Sequence, residues 1–276
     1  MSSAISTSKA AATKGRRLVN LRNFPTFTSV SAVVLFFLYA PLLYVVIYSF
    51  NGGRIATHWE GFSTRWYGKV IHNDDMLRAL TNSLQIATVA TFLSTIFAVL
   101  GALGLVRMGK IGKAVSWGLI GVPLIIAEIV LAVGTLGFFL FAGIPLGKVG
   151  LIVAHTAFCI PFALLPIRAR LSQMEAAPFE AAADLGANER EILTKITLPL
   201  LSPAIISGAL LAFAISIDDF ITSFFIAGPG STTLPVYIFG MIRSTVTPEV
   251  NTISTLLLLF SGIVLISSYM LNRKRR

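Results

Sequence analysis

Charge is scarce in this chain of 276 residues: 12% are Asp, Glu, Lys or Arg, against roughly a quarter in an ordinary soluble domain. Hydrophobic residues make up 55% and the mean hydropathy is +0.81, so lipid rather than water is the expected solvent. Cysteine occurs once, as Cys159 inside an apolar run, which excludes an internal disulfide and leaves the redox compartment unread. Histidine occurs three times, at 58, 72 and 155, too scattered to suggest a metal site, and no metal ligand is expected. No HExxH or GxSxG is present, so a membrane-enzyme reading lacks its chemistry. There is also no GxxxxGK[ST] phosphate loop; Lys148 follows Gly147 but lacks a glycine at the required spacing before it. Any nucleotide work must then fall to a partner, and this chain is expected to bind no cofactor and to be no enzyme. The net charge of +10 could suggest nucleic acid, but the charges sit in short blocks between apolar runs, and no nucleic-acid partner is expected.

A membrane span needs about 20 mostly apolar residues. Six stretches qualify, roughly 30–50, 80–106, 115–141, 147–168, 201–227 and 252–271. Backbone groups in lipid must be satisfied internally, so each is read as a helix, giving an all-α membrane protein. Residues 1–29, rich in Ser, Ala, Thr, Lys and Arg, read as a disordered or surface-lying cytoplasmic tail rather than a cleavable leader. The membrane domain spans 30–271, including a loop at 169–200, and 272–276 form a basic tail.

With the N-terminus inside, the cytoplasmic segments hold sixteen of the 22 Lys and Arg, and the external segments hold Arg54, Arg65, Lys69, Arg78, Lys148 and Arg243. That bias places both termini in the cytoplasm. The external segment 51–79 carries Trp59, Trp66 and Tyr67, suited to a membrane interface. The segment 228–250 predicts a short surface or re-entrant helix.

The loop from Arg168 to Pro199 is built like a folded element. Pro178 sits at a first-turn position of a helix, Gly186 closes it, and Asn188 with Glu191 has capping-box spacing. Leu193, Ile196 and Leu200 give the second helix an apolar stripe, and Pro199 and Pro203 should break or kink the chain after it. The pattern reads Glu180-Ala181-Ala182, three residues, Gly186, nine residues, Ile196, one residue, Leu198-Pro199. It resembles the EAA loop of type I ABC importer permeases. The resemblance implies a cytoplasmic helix–turn–helix that docks on a separate ATPase, with Glu180, Ala181, Ala182, Asp184, Gly186, Ile196, Leu198 and Pro199 as the coupling residues. ATP and Mg then belong to that partner.

Within the spans the ionisable groups are Glu128, His155, Asp218 and Asp219. Charge in a membrane is costly, so each is a functional candidate. On a continuous third span Glu128 lies about 13 residues along, or ~20 Å at 1.5 Å per residue. That depth is comparable with Asp218 and Asp219 late in the fifth. Three carboxylates without an intramembrane Lys or Arg suggest a path for an organic cation, with Phe220, Phe224 and nearby aromatics for cation–π contact. Adjacent Asp218 and Asp219 point about 100° apart on a helix, so one faces the path while the other caps a kink or bonds to a neighbour. Glu128, after Pro123, could equally satisfy freed backbone groups, and His155 reads as packing rather than as a ligand.

Further stretches resemble the polyamine (spermidine/putrescine) branch of these permeases: Tyr39-Ala40-Pro41, Tyr48-Ser49-Phe50-Asn51, Gly61 to Tyr67, His155 to Cys159, Asp218-Asp219, Gly228-Pro229, Leu234-Pro235 and Pro248 to Asn251. One departure is Ala127-Glu128, where that branch carries Pro-Asp. The resemblance implies a bacterial inner-membrane importer with a second homologous permease as heterodimer partner. Two ATPase subunits and a periplasmic binding protein complete it. Opines, other amino compounds or iron complexes are the alternative cargoes. A gradient-driven secondary transporter is the rival of a different class, and it leaves the spacing of the loop unexplained. An ion channel would need a selectivity-filter motif, and none is visible.

Overall fold

A computed structural model describes residues 25–56, 58–244 and 247–273. Nearly all of it is helix, joined by short loops and one isolated antiparallel bridge between Asn51 and Phe62. The chain divides into two compact units at Tyr44–Val45. The first contains most of α1 (Pro25–Tyr48), a 24-residue helix with Pro41 inside it. The helix takes in residues 25–29, which the sequence assigns to the tail; residues 1–24 and 274–276 lie outside the described residues.

The second unit continues with α2 (Arg65–Ile71), α3 (Asp74–Arg107), α4 (Lys110–Ile125), α5 (Glu128–Ala142), α6 (Lys148–Leu171) and α7 (Ala177–Asp184). It closes with α8 (Glu189–Glu191), α9 (Leu198–Asp218), α10 (Ile221–Ile226), α11 (Leu234–Ser244) and α12 (Pro248–Arg273). Its centre is α3, α6 and α9 packed on one another. Small side chains allow this: Ala98, Ala102, Cys159, Ala163 and Ala212 are fully or almost fully buried beside Leu164 and Ile167. Between membrane helices, where lipid offers no hydrophobic gain, close backbone approach is the main source of attraction. Gly208 marks the closest approach, since a Cβ there would lie 2.4 Å from the Ala163 carbonyl oxygen. At one end of the bundle Arg168 lies over the Trp117 ring at 3.4 Å, linking α6 to α4.

Among the described residues, α1, α3, α6 and the run Glu189–Asp218 are each long and apolar enough to cross a membrane; α4 with α5 would make a fifth as one broken span. The fold departs from uniform spans in three places. The stretch 115–141 is two helices bent by 110°, with Ile126 and Ala127 extended at ψ 139° and 132°. Pro123 lies within the last turn of α4, where its ring weakens the turn it ends. The depth reckoned for Glu128 along one straight helix therefore does not hold; Glu128 is the first residue of a new helix. The stretch 201–227 likewise stops at Asp219 (ψ 112°) and restarts at Ile221. Conversely, no break occurs at Pro199. The turn Ile192–Thr197 is π-helical, with Leu198 N–H reaching Leu193 O, and α8 runs through it into α9. A widened turn accommodates Pro199, which has no N–H to donate.

Candidate functional site

The loop between α6 and α9 takes its form from its caps. Pro178 stands in the first turn of α7. At the other end Gly186 has φ +80°, with its N–H bonded to Ala183 O and that of Ala187 to Ala182 O. These two bonds form the Schellman closure, and the left-handed residue is glycine as that geometry favours. Asn188 Oδ1 accepts from Glu191 N–H at 3.0 Å, and Asn188 N–H donates to Glu191 Oε2 at 3.1 Å. That completes the capping box. A hydrogen bond from Lys195, then one from the Asn188 backbone, holds the exposed Glu191 carboxyl below the usual carboxylate range. Arg107 at the end of α3 reaches Glu189 at 3.0 Å. Glu180, Ala181, Ala182 and Asp184 lie on α7 and Gly186 in the turn. Ile196 lies in the π turn, and Leu198 and Pro199 open α9. None of the α7 residues is buried, so the element is a stiff, outward-facing hairpin.

The second assembly forms where α9 breaks. Asp219 is 5% exposed. Its Oδ1 accepts from Thr222 N–H at 3.2 Å and its Oδ2 from Ser223 N–H at 3.0 Å and Ser223 Oγ at 3.3 Å. Asp219 thus terminates α9 and caps α10, an N-terminal role for which Asp is well suited. His155 of α6 approaches from the side, with Nε2 3.1 Å from Asp219 Oδ2 and Nδ1 2.8 Å from Ser216 Oγ. A carboxylate only accepts, so Nε2 carries a proton. The break also brings in α5, which packs on α10. Glu128, the first residue of α5, lies within hydrogen-bonding reach of Asp219. Asp218 itself is exposed. The structure therefore brings Glu128 to Asp219 and sets Asp218 beside them in a different setting: Asp219 is buried and engaged through both oxygens, while Asp218 is exposed.

Beside them Phe220 packs on Phe224 (ring centroids 5.5 Å) and on Phe239 of α11 (4.7 Å). Phe239 was not among the expected path residues, because only the fold carries α11 to the break; Arg243 lies 5.4 Å over its ring. His155 is buried, with both ring nitrogens within hydrogen-bonding distance of Ser216, Ser223 and Asp219. The sequence signal for Asp219 as a cap was available in its spacing to Thr222 and Ser223. Among the described residues no cluster of three His, Cys, Asp or Glu could hold a metal ion.

Comparison with known proteins decides the family. Residues 15–276 match the family described as binding-protein-dependent transport system inner membrane component. The chain belongs to that family. It is 40% identical over 242 residues to the spermidine/putrescine transport system permease protein PotC of Haemophilus influenzae, covering 88% of this chain and 94% of that protein. It is 37% identical to the putrescine transport system permease protein PotI of Escherichia coli K12, covering 93% and 96%. Among solved structures it is similar to a bacterial ABC transporter that imports alginate. Its TM-score there is 0.64 at 20% identity, covering 90% of this chain and 96% of that one. It is also similar to the inward-facing MetNI methionine ABC transporter, with TM-score 0.58 at 19% identity, covering 73% and 98%. The solved structures share the fold. In a permease of this family, a transport component rather than an enzyme, the outward hairpin and the acidic break are two separable devices.

Proposed function

We propose that this chain is the polyamine-conducting permease subunit of an ATP-driven importer, carrying putrescine- or spermidine-like cations inward. The observation that carries the reading is the acidic break: the exposed Asp218, with Glu128 beside it, stands next to an aromatic wall of Phe220, Phe224 and Phe239. An alkyl diamine or triamine suits such a surface, with its ammonium groups on carboxylates and its methylenes and charges against rings. Asp219, fixed by His155 and its caps, holds the break open rather than binding cargo. The relatives PotC and PotI, named as polyamine permeases, support the same cargo.

In this reading α12, 26 residues long, is the sixth span, and the α7 hairpin lies in the cytoplasm together with both termini, in a bacterial inner membrane. A second homologous permease completes the path as a heterodimer. Two ATPase subunits, which hold the ATP and Mg, grip the hairpins through Glu180, Asp184 and the small Ala181 and Ala182. ATP binding draws the hairpins together. Because α8 runs without a break through the π turn into α9, the motion of the hairpin passes directly to the helix that ends at Asp218. A periplasmic binding protein delivers cargo to the external side.

The test is polyamine-stimulated ATPase activity of the reconstituted complex with Asp218→Asn and Glu128→Gln. Each should lose most of the stimulation by loaded binding protein. Full stimulation in both would remove these carboxylates from the path.

A further inference from the structure

A third feature lies away from both devices, where the loop after α1 meets α2 and the start of α12. A cavity of ≈550 Å³ is lined by Arg54, Ile55, Arg65, Trp66, Lys69 and Thr247. Three of these six residues are cations. Lys69 is matched by the buried Glu249 at 2.6 Å. Arg65 donates to Gly53 O at 2.7 Å and lies 4.8 Å over the Trp66 ring. Among the described residues neither Arg65 nor Arg54 has an acidic partner. Two polar groups of the same wall, Trp66 Nε1–H and Thr247 Oγ, are buried with no hydrogen-bond partner among the described residues. Trp66 is only 8% exposed. A buried donor left unmade is costly, and such groups in a folded protein call for an explanation.

The wall is rigid. Asn51 accepts from Gly53 N–H and Glu60 N–H through Oδ1 and donates to Ile55 O and His58 O through Nδ2, tying the whole loop to one side chain. The pocket therefore offers positive charge in a fixed shape, and the ligand it fits is an anion. A carboxylate meets these demands, because guanidinium groups bind it in charge-assisted pairs. A polyamine cargo carries the same sign as the pocket and is repelled.

We propose that the Arg54–Arg65–Trp66 pocket seats an Asp or Glu side chain of the binding protein that delivers the cargo. The proposal rests on the importer reading and its orientation, which puts this pocket on the external face. Exposed Ile55 supplies an apolar edge to the pocket, and Trp59 and Phe62 are exposed elsewhere on the same loop. Aromatic and Arg anchors with such an edge are the usual make-up of an energetic centre in a protein interface.

The experiment measures docking of the loaded binding protein to the complete complex in nanodiscs, made once with neutral lipid and once with anionic lipid, at low and high salt. Arg54→Glu should weaken docking about 10-fold at low salt and flatten the salt dependence. Arg65→Gln, which removes the second guanidinium, should weaken it several-fold. Wild-type docking in both variants would overturn the proposal. So would an effect of the variants that appears only with anionic lipid, which would make the occupant a lipid phosphate. The two readings fail separately: a wild-type complex that docks the binding protein but imports no polyamine contradicts the cargo, not the pocket. Normal polyamine import with docking unaffected by the variants contradicts the pocket alone.

Discussion

Asp219 engages both carboxylate oxygens, one on Thr222 N–H and the other on Ser223 and His155, while the Asp218 carboxylate beside it is exposed. Mutation should separate the two. Asp218→Asn keeps the break and removes a charge from the proposed path; uptake should fall at least about 10-fold, which is 1.4 kcal/mol, with folding unchanged. Asp219→Ala leaves the Thr222 and Ser223 amides of α10 without their acceptor and takes the carboxylate from His155 Nε2. Unmade buried bonds cost about 1–3 kcal/mol each, so its melting temperature in detergent should drop clearly, as should that of His155→Ala. If Asp218→Asn lowered the melting temperature and Asp219→Ala did not, the two roles would be exchanged.

At the scale of the element, the α7 hairpin and the α6–α9 contact each hang on a glycine for a different reason. Gly186 has open space around it but φ +80°. Gly186→Val should cost about 1–2 kcal/mol of local strain and unseat the hairpin without unfolding the membrane core. Expression and basal ATPase would persist while uptake is lost, and Gly186→Asn, which tolerates the left-handed region, would retain transport. Gly208 has ordinary surroundings in sequence, but a Cβ there would collide with Ala163 O. Gly208→Val should cost about 3 kcal/mol or more by overpacking, seen as loss of the monodisperse peak in size-exclusion chromatography. The hairpin was legible from the chain because Pro178, Gly186, Asn188 and Glu191 fix local geometry within a few residues. The 110° bend was not: Ile126 and Ala127 carry no turn chemistry, and hydropathy summed over a window is blind to a change of ψ at two residues. The continuous passage through Pro199 was also illegible, because a π turn leaves no mark in composition.

At the scale of the whole molecule, the chain leaves an apolar face open on α5. The outward side chains of α5, among them Ile129, Val130, Phe138 and Phe141, are exposed. Val130 and Phe138 line a cavity of ≈540 Å³ together with Pro123, Gly134, Ala157 and Phe158. Such apolar surface requires lipid or a partner. Co-expression with the second permease should raise the melting temperature above that of the chain alone, and an unchanged value would argue against the heterodimer. The gathering of Glu128, Asp218, Asp219, His155 and Phe239 at one break depends on tertiary contacts that no spacing records. The most direct measurement is uptake of labelled putrescine and spermidine into liposomes holding the complete complex, with ATP and binding protein each added or withheld. Uptake that requires both is the predicted result; binding-protein-stimulated ATPase activity with no polyamine entering would contradict the assignment of the acidic break to a polyamine.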